Sequence, residues 1–501
     1  MEPSPRHAQR PDAGFDGGDL DCGGGLLLLI RQHIDPLDRG QLLEIRSTDA
    51  TVEVDLPSWC RLTGNELVSW TREGNARSFL VCKGSLSERG SSAPAPHAHA
   101  TPASPRAAPS RPSSPIAAPP VAPLSAMGIG SWPRPRWMVR ALHDLVEGRI
   151  DETEFETTAD DAVRLAVQAQ VRAGADVVTD GEQRRDSYAN FVGGRLDNCR
   201  LIPLTDLLPL VDDPEELRRE FEALDVPAGE VRHPAVTGPI ARSRPIAGHE
   251  LAFARTLTSL PVKVALPGPY VLSRILWMEC ISDRAYASRE TLAQDIVRVL
   301  REEVRDLLDG GAAIVQLDEP VLTEVVHGAA RAGRSFMCGA LSARGDTQKE
   351  LGFARDLVNA VVAGMPRERL AVHVCRGNWT PDESAALTGD YAPLVPTLAA
   401  MDVGTYFLEF ATERAGDLSV ARGLPDDRRV GVGVVNQKRM EIETVDEVVA
   451  RARRAVDAFG CERVLLTPDC GFATFADNPI SSAELAERRL AVLAQAARRV
   501  R

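Results

Sequence analysis

Ala371-Val372-His373-Val374-Cys375 is a short apolar run that carries an imidazole and a thiol two positions apart. On an extended strand residues i and i+2 face the same way, so one face of this run offers both groups together. Seven more short apolar runs lie along residues 127–501, each ending in polar or Gly-rich sequence and alternating with helix-length amphipathic segments. The eight strands are predicted to end near Ser131, Glu182, Pro267, Asp318, His373, Glu409, Asn436 and Cys470. Eight strand–helix units in one large domain predict an α/β fold, a TIM (β/α)8 barrel over 127–501. An open doubly wound sheet is the alternative, but no Gly-rich dinucleotide fingerprint supports it. The excess over the ~250 residues of a typical barrel falls mostly at 186–260, where 231–245 is expected to form an inserted hairpin.

Polar residues gather at the predicted strand ends. Besides His373 and Cys375 there is a lone carboxylate in Phe407-Leu408-Glu409-Phe410, and a second thiol in Thr467-Pro468-Asp469-Cys470-Gly471. Barrel chemistry sits at the C-terminal rim of the strands. His373, Cys375, Glu409 and Cys470 at one rim would make an N/S/O set suited to zinc.

Further out, residues 91–125 hold ten prolines and neither an acidic nor an aromatic residue. Such a stretch buries too little apolar area to offset its ordering entropy, so 86–126 is expected to be an extended linker. Before it, 18–85 is expected to be a two-layer α/β sandwich. Helices are predicted at 26–35 and 51–62, the second with Asp49 as its cap. A strand is predicted at 41–47 and a terminal hairpin at 66–72 and 77–83, with a first strand near 18–21. Residues 1–17 are expected to be disordered.

The whole chain is of ordinary globular composition: 501 residues, 44% hydrophobic and 26% charged. A net charge of −13 argues against a protein that coats nucleic acid or an anionic membrane. No apolar run reaches the ~20 residues needed to span a bilayer, and no secretory signal is visible, so a cytoplasmic protein is expected. Nine scattered cysteines in such a compartment point to metal or thiol chemistry, not a disulfide framework. Of 58 basic residues only Lys83, Lys263, Lys349 and Lys438 are lysines.

Several stretches, in order, resemble the catalytic barrel of cobalamin-independent methionine synthase. They are Met127-Gly128-Ile129-Gly130-Ser131-Trp132-Pro133-Arg134-Pro135, Val178-Thr179-Asp180-Gly181-Glu182-Gln183-Arg184-Arg185, Gln316-Leu317-Asp318-Glu319-Pro320, His373-Val374-Cys375-Arg376-Gly377-Asn378 and Pro468-Asp469-Cys470-Gly471. The resemblance implies a zinc-dependent methyltransferase that moves a methyl group to the thiol of homocysteine, giving methionine. It implies that His373, Cys375, Glu409 and Cys470 are zinc ligands. Glu182 and Asp318 would hold the amino group of homocysteine, and Ile129, Gly130 and Ser131 its carboxylate. Two departures stand out. The second, N-terminal barrel of the full-length enzymes is replaced here by a small domain. Where the family presents a catalytic His, Gly433-Val434-Val435-Asn436-Gln437-Lys438 places Lys438, with Asn436 beside it. The donor is therefore a methylfolate or a methylcorrinoid, with a lean to the latter, because an unperturbed lysine is a poor acid towards a departing folate nitrogen. Alkyl transfer to another small thiol, and a sulfur-carrier or scaffold protein with a non-catalytic barrel, are the alternatives.

The small domain resembles the TusA-type sulfur carriers, in residues 42–47, Thr48-Asp49, Asp55-Leu56-Pro57-Ser58-Trp59-Cys60 and Thr63-Gly64-Asn65-Glu66-Leu67. Cys22, before Gly23-Gly24-Gly25, stands about where that family keeps its reactive cysteine. A thiol at a helix N-terminus has a lowered pKa and could carry a persulfide for a sulfur-transfer partner. Cys60 is expected to pack against the sheet.

Overall fold

The computed structural model describes residues 7–20, 26–34, 36–89, 114–146, 149–203, 232–277, 282, 285–328, 346–378, 381–383, 386–476 and 479–501. They fall into two compact units.

The first unit is a four-stranded sheet under two helices. Its strands are β1 (Ala13–Asp16), β2 (Leu42–Ser47), β3 (Glu66–Glu73) and β4 (Ala76–Cys82), in the order β1-β2-β4-β3. β1 and β2 run parallel and the other pairs antiparallel. Alternation decides the faces. Leu43 and Ile45 of β2, with Phe79 and Val81 of β4, meet Ile30, Ile34, Val52, Leu56, Trp59 and Cys60 from the helices Leu27–Ile34 and Val52–Leu62. Leu42, Leu80 and Cys82 form a smaller cluster of their own. Gly74, at φ 61°, makes the two-residue turn between β3 and β4 possible.

Four expectations need correction. The first strand is 13–16, not 18–21, so the chain before residue 18 is ordered from His7, whose ring nitrogens bond Ser69 Oγ at 2.8 Å and Ser78 Oγ at 2.9 Å. Asp49 does not cap the second helix: its Oδ1 accepts from Thr51 N at 2.8 Å and fixes the turn before it. The linker is shorter than 86–126. Leu86–Glu88 is a capped 3₁₀ turn, Arg89 pairs with Asp12 at 2.6 Å, Ile116 N donates to Asp309 O at 2.8 Å, and Leu124 is buried in the second unit's core. Cys22 lies outside the described residues.

In the second unit the helices Arg136–Val146 and Glu152–Ala173 come first, and β5 (Asp197–Pro203) and β6 (Arg232–Ala241) then pair as a two-stranded ribbon. The expected hairpin at 231–245 is thus one long strand whose partner lies more than thirty residues upstream. A parallel six-stranded sheet follows: β7 (Lys263–Pro267), β8 (Ile314–Asp318), β9 (Leu370–Val374), β10 (Thr405–Glu409), β11 (Arg429–Val435) and β12 (Val464–Pro468), neighbours in chain order. Single parallel bridges continue it, joining Leu466 to Ala126, Met127 to Val177 and Val178 to Val262. The first two predicted strands are therefore no more than bridges, and Ser131 and Glu182 lie in loops beyond them. The long helices start on side-chain caps from Asp151, Ser288, Asp346, Thr444 and Ser482, which satisfy backbone N–H groups the helix leaves unpaired.

Met127, Ile129, Val177, Ile314, Ala371, Phe407 and Leu465 form one buried cluster against the strands. Phe407 reaches into it across β11 because the neighbour there is Gly431, whose added Cβ would lie 2.1 Å from the ring. With a period of two, the residues two and four places on along each strand face the same side. That rule aims Gln316, His373 and Glu409, then Asp318 and Cys375, at the C-terminal end of the strands.

Candidate active site

His373, Cys375 and Cys470 each bring a ligand atom to within 4.8 Å of the others, and all three are buried. The first two arrive on adjacent positions of one strand face, as the spacing requires; Cys470 comes from the turn after β12. His373 Nδ1 lies 2.9 Å from Asp318 Oδ1, a carboxylate oxygen that can only accept, so Nδ1 carries the hydrogen. Its Nε2 is left buried with no hydrogen-bond partner. Burial resists charging of His373, but the bond to Asp318 and the nearby Cys375 and Glu409 raise its pKa. The two thiols hydrogen-bond each other, and that bond lowers the pKa of Cys375 and raises that of Cys470.

Glu409, the fourth residue expected in the set, is buried nearby. Its Oε1 accepts from Arg376 N at 3.3 Å, and its Oε2, 3.6 Å from Arg376 Nη1, has no hydrogen bond. A buried imidazole nitrogen without a partner and a buried carboxylate oxygen without a hydrogen bond, beside two mutually hydrogen-bonded thiols, match what a zinc ion takes from a protein. Arg376 is pinned by the carbonyls of Gly389 and Ala415 and by the face of Tyr391, 4.0 Å away. Tyr391 Oη accepts from Glu409 N at 3.0 Å and donates to Val374 O at 2.8 Å, tying the ends of β9 and β10 together. Asp469 Oδ1 receives Phe410 N and Ala411 N at 3.0 and 2.9 Å, holding the loop after Glu409; burial, with Glu409 nearby, pushes its carboxyl up to about 7. Arg376, Tyr391 and Asp469 were not legible as supports because their partners lie far away in sequence.

On the other side of the cluster stand the residues expected to hold an amino acid. Glu182 sits at φ 54°, a left-handed conformation unusual for a non-glycine residue, with Oε2 buried and without a partner. Burial raises its carboxyl to about 7, with Arg185 opposing and Asp318 adding to the rise. A Cβ on Gly130 would lie 2.2 Å from Glu182 Oε1, so glycine lets that carboxyl come close to the loop. The loop Ile129-Gly130-Ser131 is stitched on both sides: Thr179 Oγ1 donates to Gly130 O at 2.7 Å, and Ser131 Oγ accepts from Ala473 N at 3.2 Å. Arg185, buried, pairs with Glu250 at 2.6 Å and donates to Ala265 O at 2.9 Å.

Lys438 is buried, not a surface residue. Burial lowers its pKa, while Glu409, Cys470 and Cys375 favour its charged form, so it belongs to the same electrostatic neighbourhood as the ligand set. Asn436 Oδ1 accepts from Lys438 N at 3.0 Å, and its amide donates to Glu383. Cys60 is buried in the first unit, its thiol pushed by burial up to about 12. Among the described residues no helix is long and apolar enough to cross a membrane.

Residues 124–206 and 222–491 match the family described as cobalamin-independent synthase, catalytic domain. Methionine synthase of Sulfolobus acidocaldarius is 28% identical over 346 residues, 68% of this chain and 84% of that protein. That of Sulfurisphaera tokodaii is 26% identical over 344 residues, 68% and 84% of the two chains. Among solved structures, a B12-independent methionine synthase from Shewanella sp. W3-18-1 in complex with selenomethionine superposes with a TM-score of 0.57 at 23% identity, covering 76% of this chain and 98% of its own, a likeness of fold.

Proposed function

Because the chain belongs to the cobalamin-independent synthase family through its catalytic domain, we propose that it is a zinc-dependent methyltransferase that methylates the thiol of homocysteine to give methionine. The observation that carries this reading is the buried His373, Cys375 and Cys470 set, with a Glu409 oxygen nearby that makes no hydrogen bond. Zinc there would acidify the substrate thiol, making a thiolate available near neutral pH. The bridges through Ala126–Met127 and Val177–Val178 support a sheet closed as a (β/α)8 barrel, with the site at its C-terminal rim.

Within this reading, Glu182 and Asp318 receive the ammonium of homocysteine. Each carboxylate is buried, so an incoming cation is matched by charge and not by water. The backbone of Ile129, Gly130 and Ser131 faces the substrate carboxylate. Such a paired acidic site favours a thiol that also bears an amine over a simple alkyl thiol. Lys438, with Asn436 fixing its backbone, stands on the donor side, as a proton source or as a partner for the leaving group. Its lowered pKa makes it a better acid than an unperturbed lysine, which weakens the argument for a methylcorrinoid and keeps methylfolate as an equal candidate.

The first unit is read as a TusA-like sulfur-carrier module. The strand and helix order, with both helices on one sheet face, supports this. A persulfide found on Cys22 by mass spectrometry after incubation with a cysteine desulfurase is the expected result; label elsewhere or nowhere returns the unit to a docking role. For the barrel, zinc analysis is paired with homocysteine methylation, assayed with methylfolate and methylcobalamin side by side. About one zinc per chain and methionine from one of the donors are expected. Full activity in metal-free protein would overturn the zinc reading, and zinc with no methionine from either donor would overturn the substrate.

A further inference from the structure

Below the ligand set runs a chain of side chains with no assigned part in the reaction. Lys263, at the start of β7, is fully buried, its Nζ 4.3 Å from the centroid of the Phe407 ring. The same Nζ lies 2.9 Å from Gln316 Oε1. Gln316, also fully buried, places Nε2 2.6 Å from Asp318 Oδ1, and that oxygen is the one 2.9 Å from His373 Nδ1. Lys263 and Gln316 stand on neighbouring strands, one diagonal step apart, because Lys263 is in register with Ile314.

We propose that Lys263 and Gln316 are positioning residues that fix the tautomer of His373, and through it the metal affinity of the site. The direction of each bond forces the next. An ammonium can only donate, so it takes the oxygen end of Gln316; were the amine neutral, the carboxylate acceptor of Asp318 would hold the amide in the same orientation. Only the NH₂ end then remains for Asp318. Asp318 Oδ1 is thereby held between two donors, Gln316 Nε2 and His373 Nδ1. With Nδ1 bound as a donor, Nε2 keeps its lone pair bare, and it is the nitrogen that has no partner in the pocket. The inference rests on the zinc reading of the ligand set, but its first test does not need the metal.

That test is the nitrogen-15 spectrum of the imidazole of His373 in metal-free protein, identified by its loss in a His373→Ala variant. At a pH high enough to keep the imidazole neutral, wild type is expected to show a single tautomer with the hydrogen on Nδ1, and Gln316→Leu a mixture. Chelator competition then measures zinc affinity in Lys263→Met, Gln316→Leu and the double variant. Each single change is expected to weaken zinc about tenfold, the scale of lost support for a ligand. The double variant should be no worse than the weaker single, because both act through one chain. Unchanged tautomer and unchanged affinity in folded Gln316→Leu would overturn the proposal, and so would additive losses near a hundredfold in the double variant. If Lys263→Met does not fold, Gln316→Leu, which leaves Lys263 packed on Phe407, decides alone. A wild type that binds no zinc yet shows the single tautomer would fail the functional reading and leave the positioning chain standing.

Discussion

A histidine that ligates a metal must keep one ring nitrogen bare, and His373 does so because Asp318 takes the other. The residue read from sequence as a substrate carboxylate therefore has a second duty. Asp318→Asn should weaken homocysteine binding, since a neutral amide cannot offset a buried ammonium, at a cost of about 3–5 kcal/mol. It should also lower zinc affinity about 10–100-fold; equilibrium dialysis for zinc and titration with homocysteine measure the two losses separately. Cys470→Ser should lose metal and activity together while the fold survives, because the side chain lies in the turn after β12 and outside the main core cluster; metal analysis and the thermal transition check it. Glu182, raised to about 7 by burial, must be ionised to receive an ammonium. Homocysteine binding should therefore strengthen as pH rises from about 6 to 8, and Glu182→Gln should flatten that profile.

At the scale of elements, one helix start depends on a buried carboxyl from the neighbouring strand. Glu319 follows β8 and accepts from Tyr270 N at 2.8 Å and Val271 N at 2.9 Å, capping the helix Pro269–Ile275 with a fully buried carboxyl that burial pushes up to about 8. Its folded-state pKa is raised above the unfolded value of 4.5, so the folded protein holds a proton that the unfolded chain has released. This contribution to stability is complete below about pH 4.5 and is lost as pH rises through about 8. Urea unfolding between pH 6 and 9 should show the decline, and Glu319→Gln should reduce it. Strand packing is equally specific. Gly431→Ala would drive a methyl into the Phe407 ring, so a destabilisation of about 1–3 kcal/mol is expected, read as a lower melting temperature.

For the whole molecule, the two units have separate hydrophobic cores. Removing residues 1–90 should leave the remainder folded, with zinc affinity within about twofold of the full chain, since the candidate ligands found among the described residues start at His373. A truncated protein that binds no zinc would show that the first unit supports the site. Much of this was legible because strands and helices write their periods into sequence. His373 and Cys375 share a face by arithmetic, and the parallel run from β7 to β12 follows from short apolar segments alternating with amphipathic ones. Local chemistry misled at the margins. Arg89 and Leu124 sit at the ends of a Pro-rich tract, yet one pairs with Asp12 and the other is buried in a core, and no local pattern announces either.

The sequence by itself determined the α/β alternation, the family, and the meeting of His373, Cys375 and Cys470, because each rests on periodicity or on motifs short enough to read locally. The tertiary structure decided how those residues are held. Lys263 is 53 positions from Gln316, His373 is 55 from Asp318, and Asp469 is 59 from Phe410. Hydrogen-bond direction and desolvation act through space, so which nitrogen of His373 stays bare, and which carboxylates titrate near neutrality, exist only once neighbouring strands have brought distant residues together.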